Sequence, residues 1–589
     1  MVRQQSLCSL AQAAGGRFLL TPSSLERRTV LQQEVFPGGP IFPWPLLVVM
    51  TVAFLVILPF FFFGSPSGHD FEFHVNSWME VLDQWKHGII YPRWAALAQY
   101  GYGEARFIFY PPVSWTLGAA LGALLPCKAV PGAYIWLALT LSGSSMFLLA
   151  RRWLDRRDAI LAAAFYAANP YYIVIVYWRS AFAELLAGAL LPLLLLYALR
   201  SEKEKSAVVP LALIVAAAWL TNIPAAVMVN YSLMLWMLIL AVLERAPRAL
   251  LRGAFAVLLG AALASFFLIP AAYERRWVNI AEVLSAGVRP QDNFLFTTIN
   301  DVDHNRFNLL VSIVVSAETI ALALAAFVSR QWSRRQPKLW WTLIGWAFVA
   351  VLLNFSFTSF LWERLPELRY LQLPWRWLLC LNVAFALFVT MASWRWMVRV
   401  PICIAMLLLL GFVWNRIQAP WWEKTEDFTQ MLDSHRSGAG YEGTDEYVPV
   451  EADPYEIDKD APRVALGDNA AAGQILQVRI QQWDAESRLF TAEVSQPGQL
   501  ALRLFHYPAW HVEVNGQMVL TTTRSVTGQM LIPVQSGENR VQITFTRTWD
   551  RTLGGIVSAV TALLLGTYFA LGRRRSGFGL SPRAIQICW

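Results

Sequence analysis

The chain has 589 residues, 56% of them hydrophobic, with a mean hydropathy of +0.42, and apolar runs of roughly 17 to 25 residues recur along most of it. That excludes a large soluble core and defines a multi-pass membrane protein. The formal net charge of +8 falls in short clusters between the apolar runs (ARRWLDRRD, LERAPRALLRG, SRQWSRRQPK, WRWMVR, GRRRS), which is the positive-inside pattern and excludes nucleic acid as its reason.

Residues 1–43 show no compact apolar region followed by a small-residue cleavage site, so the first span is expected to be an uncleaved anchor with a cytoplasmic segment before it. Spans at roughly 44–63, 132–150, 158–178, 182–199, 206–220, 223–243, 253–272, 307–329, 339–358, 375–393, 400–414 and 553–572 place every basic cluster on the cytoplasmic side of a cytoplasmic membrane. That makes about twelve helices. The short run 113–125 would reverse the sidedness of RRWLDRRD if it crossed, so it is expected to be re-entrant or juxtamembrane. The expected organisation is a cytoplasmic segment 1–43, a transmembrane bundle 44–415 whose first outer loop is 64–112, an extracytoplasmic β-rich domain 416–550, and a last helix with a cytoplasmic tail at 551–589. The five cysteines all lie outside 416–550, so no disulfide framework is implied there.

The first outer loop opens with GSPSGHDFEFHVNSW. Phe71, Val75, Trp78, Leu82 and Trp85 recur at spacings of four and three, one stripe of a helix that Asp70 is placed to cap and Gly88 to end. With Glu80, Asp83 and Lys86 off the stripe, this helix is expected to lie flat in the membrane interface. Residues 416–472 are acidic and rich in turn formers. From about 473, short alternating runs (QILQVRI, LFTAEVS, LALRLF, HVEVNG, QMLIPV, RVQITF) separated by Gly, Asn and Asp turns predict an antiparallel β-sandwich.

The unusual polar residues all fall on the outer side of this threading, as for a polar cavity ringed by loops. Asp70 and His74 lie four apart on one helix face, while Glu72 points away. Three readings are open: a helix cap with His74 at the headgroups, a metal site, or a general base at the water-facing mouth of the cavity. His69, Asp70 and His74 have ligand chemistry but no third strong ligand and no characteristic spacing, so no metal or other cofactor is assigned and a divalent ion stays undecided. Arg93, Arg106, Arg179, Arg369 and Arg376 sit near the outer boundary against the positive-inside trend. Singly they are expected to snorkel or to pair, Arg179 with Glu184 and Arg369 with Glu367; jointly they suit a phosphate or carboxylate, such as a lipid-linked phosphate head. Aromatic residues crowd the same level, Tyr110, Tyr171 and Trp375 among them; most form the interfacial belt and a minority suit stacking on sugars or prenyl chains.

HD-x-x-x-H, YGEARFIFYPP, YWRSAFAELLAGALLPL, YLQLPWRWLL and HYPAWHVEVNG, in this order, resemble the bacterial integral membrane proteins known by a 6-pyruvoyl-tetrahydropterin synthase related domain. They are similar to YfhO-like proteins within the GT-C glycosyltransferase architecture, over roughly residues 44–572. Nothing resembles a soluble zinc-dependent pterin synthase. The resemblance implies a mostly α, GT-C-like bundle with an outward-facing site and a polyprenyl-phosphate-linked sugar as donor. It implies Asp70 as the catalytic acid/base with Glu72 as its alternate, and Arg376 of LPWR and Arg179 of YWRS at the donor phosphate. One departure stands at Asn222, where relatives are expected to carry a histidine after Leu-Thr. The expected site is thus Asp70, Glu72 and His74, with Arg93, Arg106, Tyr110, Arg179, Glu184, Asn222, Arg369 and Arg376 around the substrate. The expected function is inverting sugar transfer to a glycan or envelope acceptor on the outer face, with membrane lipid as the surrounding partner. The alternative is a non-catalytic membrane factor that binds lipid-linked glycan during envelope polymer assembly.

Overall fold

The computed structural model describes residues 44–245, 247–392, 394–468 and 474–576. The expected segment 1–43 and the end of the tail lie outside these residues. Among the described residues nine helices are long and apolar enough to cross a membrane, and each answers to one expected span, from Trp44–Phe63 through Val302–Val328 to Trp549–Tyr568. Their starts follow from local chemistry: Asp155, Asn169, Asn222 and Asp301 each accept a hydrogen bond from a backbone N–H of the first turn.

Three expected spans differ in form. Lys205–Thr221 is a shorter apolar helix, and two others are bent pairs: Arg248–Leu263 with Ser265–Trp277 at 77°, and Pro337–Leu352 with Ser356–Arg364 at 97°. At the first bend the last helix inserts a side chain. Ser558 Oγ accepts from the freed N–H of Phe266 (2.9 Å) and donates to Ala262 O (3.2 Å), which satisfies both backbone groups the break exposes. The run expected to be re-entrant is the 13-residue helix Pro112–Leu124.

Several of the loops expected on the cytoplasmic side meet one another. Lys338 pairs with Glu202 and with Glu244 (2.7 Å), and Arg399 pairs with Asp158 (2.7 Å). At the other end two strands, β1 (Ser65–Ser67) and β2 (Trp421–Glu423), pair antiparallel, and so join the exit of the first span to the segment after the helix Trp396–Ile417.

The helix Phe71–Lys86 forms as expected, but it does not lie free in the interface. Phe71, Val75 and Trp78 are buried, Leu82 and Trp85 half-buried, and the helix packs on Pro112–Leu124 and on Phe428 and Phe182. Glu80, off the apolar stripe, is nonetheless 2% exposed and accepts from Ala96 N (2.8 Å), Leu97 N (2.8 Å) and Tyr441 Oη (2.9 Å). Asp70 occupies the N-cap position, yet its side chain makes no capping hydrogen bond. The acidic stretch after the bundle, expected to be turns, contains the 13-residue helix Thr425–Ser437.

The C-terminal region is a sandwich of two antiparallel sheets. β3 (Val464–Leu466), β6 (Gly498–Phe505), β10 (Gln529–Val534) and β9 (Thr522–Thr523) form one, in that spatial order. The other runs β4 (Leu476–Trp483), β5 (Ser487–Val494), β11 (Gly537–Phe545), β7 (Trp510–Val514) and β8 (Gln517–Met518). Trp94, Tyr102, Ile108 and Phe109 of the first loop share the sandwich core. Glu274 anchors the sandwich to the bundle, accepting from Tyr507 Oη (2.7 Å) and bidentately from Arg551 (2.7 and 2.8 Å).

Candidate functional site

The helix that begins at Arg156 breaks at Asn169–Pro170 and ends in a π-helical turn, Ile175–Arg179, closed by Ser180 in the left-handed region (φ +51°). Such wide turns aim a side chain where an α-helix would not. Against it lies the stretch Gly68–Asp70. Gly68 N–H donates to Ser180 Oγ (2.8 Å), Ser180 Oγ donates to Pro66 O (3.1 Å), and Asp70 N–H donates to Arg179 O (3.0 Å). Only glycine fits here, because a Cβ at residue 68 would stand 2.4 to 2.6 Å from the Arg179 backbone. Asp70 is thereby held at the Arg179 turn, partly exposed.

Arg179 is 3% and Glu184 1% exposed. Arg179 Nη1 donates to Glu184 Oε2 (2.8 Å) and to Tyr171 Oη (3.0 Å), and Tyr171 Oη donates to Glu184 Oε1 (2.5 Å). The expected Arg179–Glu184 pair therefore exists. Arg376 arrives from the turn Pro374–Trp377, where Pro374 sets the first helical position. Its Nη1 donates to Leu371 O (3.0 Å), while its Nε lies 3.3 Å from Glu184 Oε2 without hydrogen-bond geometry and is otherwise unpartnered. The Asp70 charge acts on both guanidinium groups and on the half-buried Tyr110. The wall beyond is aromatic: Trp375 carries Arg179 at 4.8 Å, and Phe307 touches both Trp375 (6.0 Å) and His69 (5.3 Å). The site thus combines a partly exposed carboxylate, without a hydrogen-bond partner among the described residues, with two buried arginines that share one glutamate.

Other expected site residues are elsewhere. His74 is buried among Phe73, Trp78, Tyr110 and Phe182, and burial pushes its imidazole down to about 4 in spite of Asp70, so it is neutral. Glu72 is exposed and lines a separate polar cavity of about 240 Å³ with Glu423, Asp427 and Asn76. Arg106 is a structural pin: its Nε donates to Glu104 Oε1 (2.6 Å) and its Nη1 to Ser77 Oγ (3.0 Å), with all of it buried. Arg93 stacks on Tyr91 (4.1 Å), and its backbone N–H donates to Glu486 of the sandwich. Arg369 is exposed and donates to Tyr370 Oη (3.0 Å) rather than pairing with Glu367. Asn222 is 8% exposed and caps the helix Ile223–Glu244 by accepting from Ala225 N (2.9 Å). Sequence reasoning missed Tyr171 as the partner of Glu184, and it missed Phe307 at the start of Val302–Val328. No group of three or more His, Cys, Asp or Glu among the described residues has metal-ligating geometry.

A bundle of bent and straight apolar helices that buries charged groups and carries a C-terminal β-sandwich defines a multi-pass membrane protein with a polar site. The model of the 6-pyruvoyl-tetrahydropterin synthase related domain, a membrane-protein family, matches residues 107–420, and the chain belongs to this family. Among solved structures it is similar to the crystal structure of the Archaeoglobus fulgidus oligosaccharyltransferase in complex with zinc and sulfate, at 15% identity and a TM-score of 0.41. That match covers 67% of this chain and 55% of the other, so the chain spans about half the length of that protein. No curated protein matches the chain.

Proposed function

We propose that the protein is a membrane glycosyltransferase of GT-C type that takes a sugar from a polyprenyl-phosphate donor and passes it, with inversion, to an acceptor on the outer face of a cytoplasmic membrane. One observation carries the reading: the Asp70 carboxylate, free of hydrogen-bond partners among the described residues, is tied by its own N–H to the carbonyl of Arg179, whose guanidinium belongs to the Arg179–Glu184–Arg376 cluster. Asp70 takes the proton of the acceptor hydroxyl as that oxygen bonds to the anomeric carbon. The bond from that carbon to the phosphate oxygen breaks, and the phosphate leaves with the electron pair toward Arg179 and Arg376. Proton transfer of this kind contributes roughly 10² to 10⁴ in rate, and preorganised cations add a term of comparable size, about 10² to 10³. Tyr110 and Trp375 suit the sugar or the first prenyl unit.

The second reading, a non-catalytic factor that holds lipid-linked glycan, is favoured by one feature: Glu184 already engages both arginines. Purified protein in lipid, given a panel of labelled polyprenyl-phosphate sugars and outer-face acceptors, separates the two. Label on the acceptor supports the transferase; saturable donor binding with no transfer on any acceptor supports the factor.

A further inference from the structure

The sandwich buries a cation where its strand pattern calls for an apolar side chain. Along β5, Arg488, Phe490, Ala492 and Val494 alternate inward, and Arg488 is 1% exposed, opposite Trp483 on β4 and Ile543 on β11. Its Nε and Nη1 are sealed from solvent and have no hydrogen-bond partner. The guanidinium lies over two indoles, 4.7 Å from Trp510 and 5.3 Å from Trp483. A second, exposed cation, Arg463, comes to 5.5 Å from the same Trp483 ring. Burial, then Arg463, pulls the Arg488 guanidinium down to about 9, so it stays charged at neutral pH; Asp484, the carboxylate that acts on it, accepts through one oxygen from Gln482 (2.5 Å) and has no hydrogen bond to Arg488 Nε or Nη1. Indole faces replace only part of the hydration such a cation loses, and a buried donor without an acceptor calls for an explanation.

The way in is at the edge of the sandwich. β4 is an edge strand whose Val478 and Ile480 pair with Ala492 and Phe490 and so belong to the inner face, yet they are 37% and 40% exposed. The opposing sheet does not reach over them. Half-buried Trp483 therefore stands as a cover between open solvent and Arg488, with Arg463 beside it.

We propose that Arg488, Arg463 and Trp483 form a subsite for an oxyanion carried by a sugar, a carboxylate or a phosphate, which enters under the Trp483 ring and bridges the two guanidinium groups. Two guanidiniums grip a compact oxyanion, and the indole face with the apolar lip of β4 suits a pyranose ring. The subsite stands whether or not the bundle catalyses transfer, so its test is binding. Full-length protein in phosphatidylcholine nanodiscs is titrated calorimetrically with glucuronate, glucose 6-phosphate, glucose and inorganic phosphate. At least one charged sugar is expected to bind saturably and at least tenfold more tightly than glucose, and Arg463→Ala, a surface change, is expected to weaken it about tenfold. Arg488→Met should abolish it, and Arg488→Lys should retain part. Glucuronate against glucose 6-phosphate tells which oxyanion the site takes. Equal affinity for glucose and both charged sugars, or no effect of Arg463→Ala, overturns the proposal; inorganic phosphate binding as tightly as the sugar phosphate overturns its sugar component.

Discussion

Gly68→Ala tests how the first loop holds Asp70. The added methyl would stand 2.4 Å from the Arg179 carbonyl carbon, whereas ordinary contact begins near 3.4 Å, so the loop must retreat by about 1 Å. Backbone on the other side cannot yield, because it is the closed turn at Ser180. The retreat stretches the bonds from Gly68 N–H to Ser180 Oγ (2.8 Å) and from Asp70 N–H to Arg179 O (3.0 Å) beyond hydrogen-bond length. Losing both costs about 2 kcal/mol. A displacement of about 1 Å at a reacting group is worth roughly 10²-fold in rate. The assay is labelled-sugar transfer beside hydrogen exchange at residues 65–72, with Gly411→Ala, whose Cβ meets nothing within 4 Å, as control. Transfer should fall about a hundredfold and exchange at the loop should rise, with the control at parent values. Parent transfer and parent protection in Gly68→Ala would refute the proposed role of this contact.

Glu184→Gln leaves Arg179 and Arg376 buried without their shared anion and is expected to destabilise by about 3–5 kcal/mol, with part restored in the double variant with Arg376→Met; thermal melts in lipid read this out. Burial pushes the Glu80 carboxyl up to about 7. The stability tied to its neutral form is fully present below pH 4.5 and lost as pH rises through about 7, an effect of roughly 3 kcal/mol, so melting points should fall over that window and the fall should be absent in Glu80→Gln. Asn222→Ala should cost about 1 kcal/mol as a lost helix cap and leave the transfer rate unchanged. A tenfold loss of rate without a change in melting point would give Asn222 a role beyond capping.

Much of this fold is legible in sequence because a bilayer makes backbone satisfaction local. Nine of the expected spans have a helix long and apolar enough to cross, whereas the cap expected at Asp70 is not made and the caps at Asn169 and Asn222 were not expected. The bend between Arg248–Leu263 and Ser265–Trp277 escaped notice because its cause is tertiary: Ser558, nearly three hundred residues away in sequence, satisfies the break at Phe266. The Arg179–Glu184 pair was legible because five residues separate its members. The role expected of Arg106 was misjudged, and the burial of Glu80 missed, for the opposite reason, since Tyr441 and Thr444, more than three hundred residues on, complete the network that buries them. His74 shares a face with Asp70 as the helix period requires, but Phe182 and Tyr110 close over it, and periodicity carries no signal of that. Arg488 is the converse: the alternating run LFTAEVS marks the strand but begins one residue later, and the inward arginine just before it is what the fold leaves unexplained.

The most direct measurement is transfer and donor binding by Asp70→Asn in lipid, beside the parent protein. The substitution keeps the shape and the backbone bond to Arg179 and removes only the base. Donor affinity within about twofold of the parent, with transfer reduced at least a hundredfold, is the predicted result. Transfer at the parent rate would contradict the assignment of Asp70 as the group that takes the acceptor's proton.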